Sequence, residues 1–170
     1  MTKNNGFAEK RSFWKEACCF EIKKKCKQAL ITFGGIKNLK LRKIKFDELK
    51  KIGFLFPVII SPTSYISNNS QIDEGSILMH QTLLNTGSRI GKNCIINTKV
   101  LIEHDVKVED NCHISTGSII NGNVLIKENT FIGSGCIVHN NISIGKNCII
   151  TAGSIIKKNI PDNSIIKKNE

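Results

Sequence analysis

Four histidines, His80, His104, His113 and His139, are the side chains of this sequence best suited to moving a proton near neutral pH. Only His104 has an acidic neighbourhood, Ile102-Glu103-His104-Asp105. An imidazole beside a carboxylate suits a general base, because the carboxylate favours the cation that forms as the proton is taken. The plainer alternative is an exposed histidine in a charged strand, and residue type alone leaves both open. His80 and His139 lack acidic neighbours and read as surface residues. A zinc site would need several imidazoles converging on one ion. The successive histidine spacings of 24, 9 and 26 residues do not point to one, so no metal is expected. The seven cysteines are odd in number and accompany no export signal, so they are read as reduced thiols rather than a disulfide framework.

The element that must position His104 is a six-residue repeat. Stepping by six from Ile66 to Ile156 gives 16 positions, all aliphatic. Four residues after each comes a small or β-branched residue, such as Ser76, Cys94, Val106, Cys112, Ser118, Cys136 and Cys148. Three residues after each, 13 of 16 positions are Gly or Asn, the types that tolerate a left-handed backbone at a tight corner. Asp105 occupies one of the other three. A period of six is neither that of a helix nor that of a simple strand, so the chain turns at every repeat. Three repeats make one 18-residue coil, with the aliphatic and small columns facing inward. About five coils of parallel β-structure are expected, and the four repeat cysteines are packing residues.

The first third is different. Residues 1–55 carry 15 Lys/Arg against 5 Asp/Glu, whereas residues 56–170 carry 10 against 9. Such a basic segment attracts anions or presents a solvated helix face. Few aromatics are interleaved and no nucleic-acid motif appears, so nucleic-acid binding is not expected. No apolar run is long enough to span a membrane, and the chain reads as cytoplasmic. Trp14, Cys18, Ile22 and Cys26 recur every four residues, as in an amphipathic helix. Ala29 to Phe33 reads as a short strand ending at Gly34-Gly35. Asn38 is placed to cap a helix through Ile52 with an apolar stripe of Leu41, Ile44, Leu49 and Ile52, and Gly53 is placed to end it. Phe56 to Ile60 reads as a buried strand leading into the coil. The expected divisions are a basic segment (1–28), a partial Rossmann-like β-α-β segment (29–60), the coil (61–166) and a tail (167–170).

The run Asn97-Thr98-Lys99-Val100-Leu101-Ile102-Glu103-His104-Asp105, followed by His113 and then by Gly122-Asn123-Val124 and Phe131-Ile132-Gly133, resembles the hexapeptide-repeat sugar acyltransferases of the sialic acid O-acetyltransferase and bacillosamine N-acetyltransferase type. The N-terminal subdomain is shorter than usual and lacks the Gly-rich loop. Lys167-Lys168-Asn169-Glu170 stands where such proteins carry Gly-x-Pro-Ala-Lys. The resemblance implies a left-handed hand for the coil and a homotrimer with sites between subunits. It also implies transfer from acetyl-CoA to an amino or hydroxyl group of a sugar, foremost a nucleotide-linked amino sugar. His104 would be the base and Asp105 its partner. Asn97 would lie beside the reacting groups, Gly34 (or Gly35) would contact the nucleotide, and His113, Ser134 and Ala152 would contact the acyl donor. Two other classes stay open: a catalytically impaired trimeric subunit, and a hexapeptide acyltransferase with a small non-sugar acceptor.

Overall fold

The computed structural model describes residues 24–34 and 39–167. Two-residue strands run from Ile59–Ile60 to Ile165–Ile166 and form three parallel sheets of seven, six and five strands. Each strand pairs with its equivalent one coil away, as Ile77 with Ile95 and Ile95 with His113. The result is a parallel β-solenoid of about six turns, which a left-handed β-helix fits. The expected five becomes six because Ile59–Ile60 and Ile165–Ile166 add paired strands at either end of the unbroken aliphatic run.

The second residue of each strand faces the axis. Leu84, Ile96, Ile102, Ile114, Ile120, Ile126, Ile132, Ile144 and Ile150 are each 0% exposed, and burying such a side chain contributes roughly 1.5–3 kcal/mol. The small column is also buried, and its members do more than fill space. Ser76, Ser118 and Thr130 donate to the carbonyls of Gly91, Gly133 and Gly145 at 2.6–2.8 Å. The thiols of Cys94, Cys112 and Cys136 donate to Glu109, Lys127 and Thr151 at 3.0–3.2 Å. Ser, Thr and Cys at these positions thus supply corner carbonyls with a donor, which Val100, Val106, Val124 and Ile142 in the same column do not. The corners take positive φ at every sixth residue from Gly75 to Gly153, including Asp105 at 60°.

The segment before the coil departs from expectation in three ways. First, Ala29 to Phe33 forms no extended strand. Pairing there is one parallel bridge, Gln28 to Leu55, with Ala29 N–H donating to Leu55 O at 3.0 Å, and no Rossmann-like segment is shown. Second, strand pairing within Phe56 to Ile60 is confined to Ile59–Ile60, both exposed, while Phe54 and Phe56 pack with Ile31 and Phe46. Third, α1 spans Leu39–Ile52, but its buried face is Leu39, Arg42 and Phe46, with Leu41 and Ile44 exposed. The reason is Arg42, 3% exposed, whose guanidinium reaches Ile31 O at 2.6 Å, Phe33 O at 3.1 Å and Asn93 O at 3.2 Å. It clamps the N-terminal segment onto the coil, and burial lowers its pKa to about 10. Of the expected apolar stripe, Leu49 and Ile52 do pack against the Ile31–Phe46–Phe54–Phe56 cluster, whereas Leu41 and Ile44 face away because Arg42 takes the buried position. The helix ends at Gly53 (φ 92°), with Gly53 N–H bonded to Lys50 O and Phe54 N–H to Leu49 O. Asn38, Gly35, Trp14, Cys18 and Ile22 lie outside the described residues.

Candidate active site

Asp105 holds a left-handed corner that an aspartate occupies at about 1 kcal/mol of strain. Asp105 Oδ2 lies 3.0 Å from His104 Nδ1, and both side chains are more than half exposed. The corner lies between the six-stranded and five-stranded faces. Its backbone is tied to the coils on either side, Asp105 N–H to Thr86 O and Asn123 N–H to His104 O. One coil on, Gly122 lies directly against the imidazole: a Cβ built there would fall 2.5 Å from His104 Nε2 and 2.6 Å from Cε1. The ring is thus held by a carboxylate at one nitrogen and seated on a residue without a side chain.

A second group lies on the next corner of the coil, between the seven-stranded and six-stranded faces. Here Thr98, Thr116, Ser134 and Ala152 stack one coil apart. Asn97 Oδ1 accepts from Thr98 N–H at 2.8 Å, leaving Nδ2 with no partner among the described residues. Ser134 Oγ is 2.8 Å from Ser115 Oγ. Gly117 and Gly135 on this ridge have open space beside them. The ridge is thus an exposed run of small residues whose Ser134 and Ala152 amide N–H groups have no partner among the described residues.

The third group is His113 and Gly34. His113 lies on the outer side of the seven-stranded face, edge-on to Phe131 at 5.2 Å between ring centres. Gly34 covers it: a Cβ there would meet His113 Cε1 at 3.0 Å. Both ring nitrogens are buried with no hydrogen-bond partner among the described residues. Burial, reinforced by the Arg42 charge, lowers the His113 pKa to about 4, so the ring is neutral over the physiological range.

The single chain therefore joins His104 to Asp105, Ser134 and Ala152 to the Asn97 ridge, and His113 to Gly34. It does not join His104 to the ridge, because the six-stranded face separates them. Two grooves of about 380 and 540 Å³ lie elsewhere, along the five-stranded face and between α1 and the coil, and neither contains His104, Asn97 or Ser134. Sequence reasoning gave no role to Gly122 or Arg42. The signal for Gly122 was a glycine one coil after the histidine, at a place that needs no positive φ.

Residues 87–122 and 123–158 match the family described as bacterial transferase hexapeptide (six repeats). PerB from Caulobacter crescentus, solved with CoA and GDP-perosamine, superposes with a TM-score of 0.85 at 25% identity, over 89% of this chain and 72% of that one. A mutant perosamine N-acetyltransferase from the same organism gives the same TM-score at 24% identity, over 89% and 71%. The acetyltransferase domain of PglB from Neisseria gonorrhoeae, also solved with acetyl coenzyme A, gives 0.74 at 30% identity over 75% of this chain. This chain spans 62% of that structure's length. A sequence search of curated proteins found no match. Two stretches of the chain match the hexapeptide-repeat transferase family and its coil is shared with these enzymes, so the chain fits the hexapeptide-repeat sugar acyltransferases.

Proposed function

We propose that this chain transfers the acetyl group of acetyl-CoA to an amino or hydroxyl group of a sugar, foremost the amine of a nucleotide-linked amino sugar in surface glycan biosynthesis. The observation that carries the reading is the His104–Asp105 pair seated on Gly122, in a coil shared with enzymes solved with CoA and a nucleotide sugar. With Nδ1–H donating to Asp105, the lone pair of His104 is on Nε2. His104 takes a proton from the acceptor as its nitrogen or oxygen adds to the thioester carbonyl, and returns it to the departing sulfur. Asp105 stabilises the imidazolium between these steps. Asn97 holds the reacting groups through its free Nδ2, and the Ser134 and Ala152 amides hold the donor. His113 is assigned the acetyl oxygen, where charge develops. That assignment requires the chain at Gly34 to lift from the ring, because both nitrogens are closed off in the lone chain. With acetyl-CoA as donor, the reaction belongs in the cytoplasm, and no described helix is long and apolar enough to cross a membrane.

Assembly as a homotrimer is part of this proposal. A neighbouring copy can bring its His104 corner to this chain's Asn97 ridge, which one chain cannot do for itself. The six-stranded face supplies an apolar surface for that contact, since its outward residues are Tyr65, Leu83, Leu101, Ile119, Ile137 and Ile155.

The test is mass spectrometry of amino sugars and nucleotide-linked sugars incubated with the protein and acetyl-CoA. An acetylated product is expected, and His104→Ala should lower the rate by about 10²–10⁴ with CoA affinity unchanged. Full activity in His104→Ala removes the base assignment. A wild-type protein that binds no acetyl-CoA is better read as an assembly subunit.

A further inference from the structure

The Asn97 ridge continues past the residues assigned above. One coil before Thr98, the same column holds His80, and the strand below it leads into Ser61. If the donor lies along Ser134 and Ala152 and reacts beside Asn97, as proposed above, the acceptor must approach from the opposite end of the ridge. His80 is the next side chain there.

Its environment is not that of a free surface histidine. The exposed imidazole is tied by Nδ1 to Ser61 Oγ at 2.6 Å, and Ser61 is only 9% exposed. Thr63 Oγ1 lies 3.1 Å from Ser61 Oγ and accepts from Gln81 N–H at 3.1 Å. One arrangement that fits these distances has Thr63 O–H donating to Ser61 Oγ and Ser61 O–H donating to His80 Nδ1. The ring proton is then on Nε2, available as a fixed donor.

A second observation converges on this place. From Gly75 to Gly153, the only positive-φ corners that are neither Gly nor Asn are Gln81, Lys99 and Asp105. Each costs about 1 kcal/mol in backbone strain, and such strain gathers where a side chain is needed. Asp105 serves His104. Gln81 follows His80 in the chain, and Lys99 lies one coil on, its N–H donating to His80 O at 2.9 Å.

We propose that His80, oriented by Ser61 and flanked by Gln81 and Lys99, contacts the acceptor, its Nε2–H donating to an oxygen of a sugar diphosphate. His80 is a binding contact and Ser61 a positioning residue. The experiment is initial-rate kinetics of wild type, His80→Ala, Ser61→Ala and the double variant, with CoA affinity measured by calorimetry. The acceptors are a GDP-linked amino sugar, a UDP-linked amino sugar and the corresponding free amino sugars. His80→Ala should raise the acceptor KM about 10-fold with the acetyl-CoA KM unchanged. Ser61→Ala should do the same to a smaller degree, and the double variant should be no worse than His80→Ala, because Ser61 acts through the ring. A loss confined to nucleotide-linked acceptors places the contact at the diphosphate, and a loss shared by free sugars places it on the sugar ring. An unchanged acceptor KM in a folded His80→Ala protein overturns the inference and leaves acetyl transfer standing. A wild type that neither binds CoA nor acetylates any acceptor overturns both.

Discussion

The six-stranded and five-stranded faces of the coil share their inward columns and differ in what they show to solvent. Outward on the six-stranded face come Tyr65, Leu83, Leu101, Ile119, Ile137 and Ile155, all apolar or aromatic; outward on the five-stranded face come Gln71, Arg89, Lys107, Leu125 and Ser143. Tyr65 and Ile155 are 63% and 56% exposed in the lone chain. The inward residue of each strand is dictated by the coil, since a polar group there would lose water without gaining a partner. The outward residue is free to vary, so its character reports what covers the face. A stripe of apolar side chains along one face is unusual for a surface that meets only water.

The largest effect should come from breaking what the faces share. Ile120 is 0% exposed on the axis, and Ile120→Asp would place an unpaired carboxylate within the aliphatic stack. We expect a loss of at least about 4–5 kcal/mol, enough to unfold the coil. Circular dichroism during denaturant titration checks it; a cooperative, wild-type-like transition would contradict the axial placement. Its neighbour Ile119 points outward on the six-stranded face. Ile119→Glu should keep the coil's spectrum and abolish assembly and activity together, whereas Lys107→Glu on the five-stranded face should change neither. Light scattering reads the difference against three times the 18.9 kDa chain. Equal behaviour of the two variants would remove the six-stranded face as the interface.

This contrast also explains what was legible in the sequence. The axial column was readable because Ile66 to Ile156 obeys one constraint without exception. The corners were readable because left-handed φ narrows the choice to Gly and Asn, which made Asp105 conspicuous. What failed to show was whatever depends on partners distant in sequence. Arg42 looks like a solvated cation until its carbonyl acceptors, among them Asn93 O, are brought to it by the fold. The Cys94 and Cys112 thiols look like filler until the carbonyls they bond are identified. His80 is exposed, as its sequence suggests, but its tie to Ser61 shows only when the fold brings that residue beside it from one coil earlier.

The seven-stranded face offers a third case, covered by the protein's own chain at Ile95 and His113 though open at Ile59 and Ile165, and His113 tests that cover. Its pKa in the folded state, about 4, lies below the ordinary 6.5. The unfolded chain therefore takes up a proton that the native ring refuses. The contribution to stability is complete above pH 6.5 and is lost as pH falls toward 4, by up to about 3 kcal/mol. His113→Phe keeps an aromatic ring against Phe131 and cannot titrate. Between pH 7 and 4 the variant should lose less stability than wild type by up to that amount, as measured by urea denaturation at each pH. Equal acid sensitivity would mean that Gly34 does not close over the ring.

The smallest effect is expected at the corner where the two contrasted faces meet. Gly122 has a backbone any residue can adopt, so replacing it introduces no left-handed strain. What a methyl group would meet is the His104 ring, 2.5 Å from Nε2. That ring is the end of an exposed side chain, so it can swing aside rather than force the coil apart. Gly122→Ala should then leave the unfolding transition within about 0.5–1 kcal/mol of wild type. With His104 as the proposed base, the displaced ring would lose its alignment with the acceptor's proton, and the rate should fall by about 10- to 100-fold. Acetyl-CoA affinity should hold, since the ridge proposed to hold the donor is on another corner. A variant as stable and as fast as wild type would show that His104 works from a position other than its seat on Gly122. A variant that unfolds would show that the corner, and not the ring, fills the space a side chain needs.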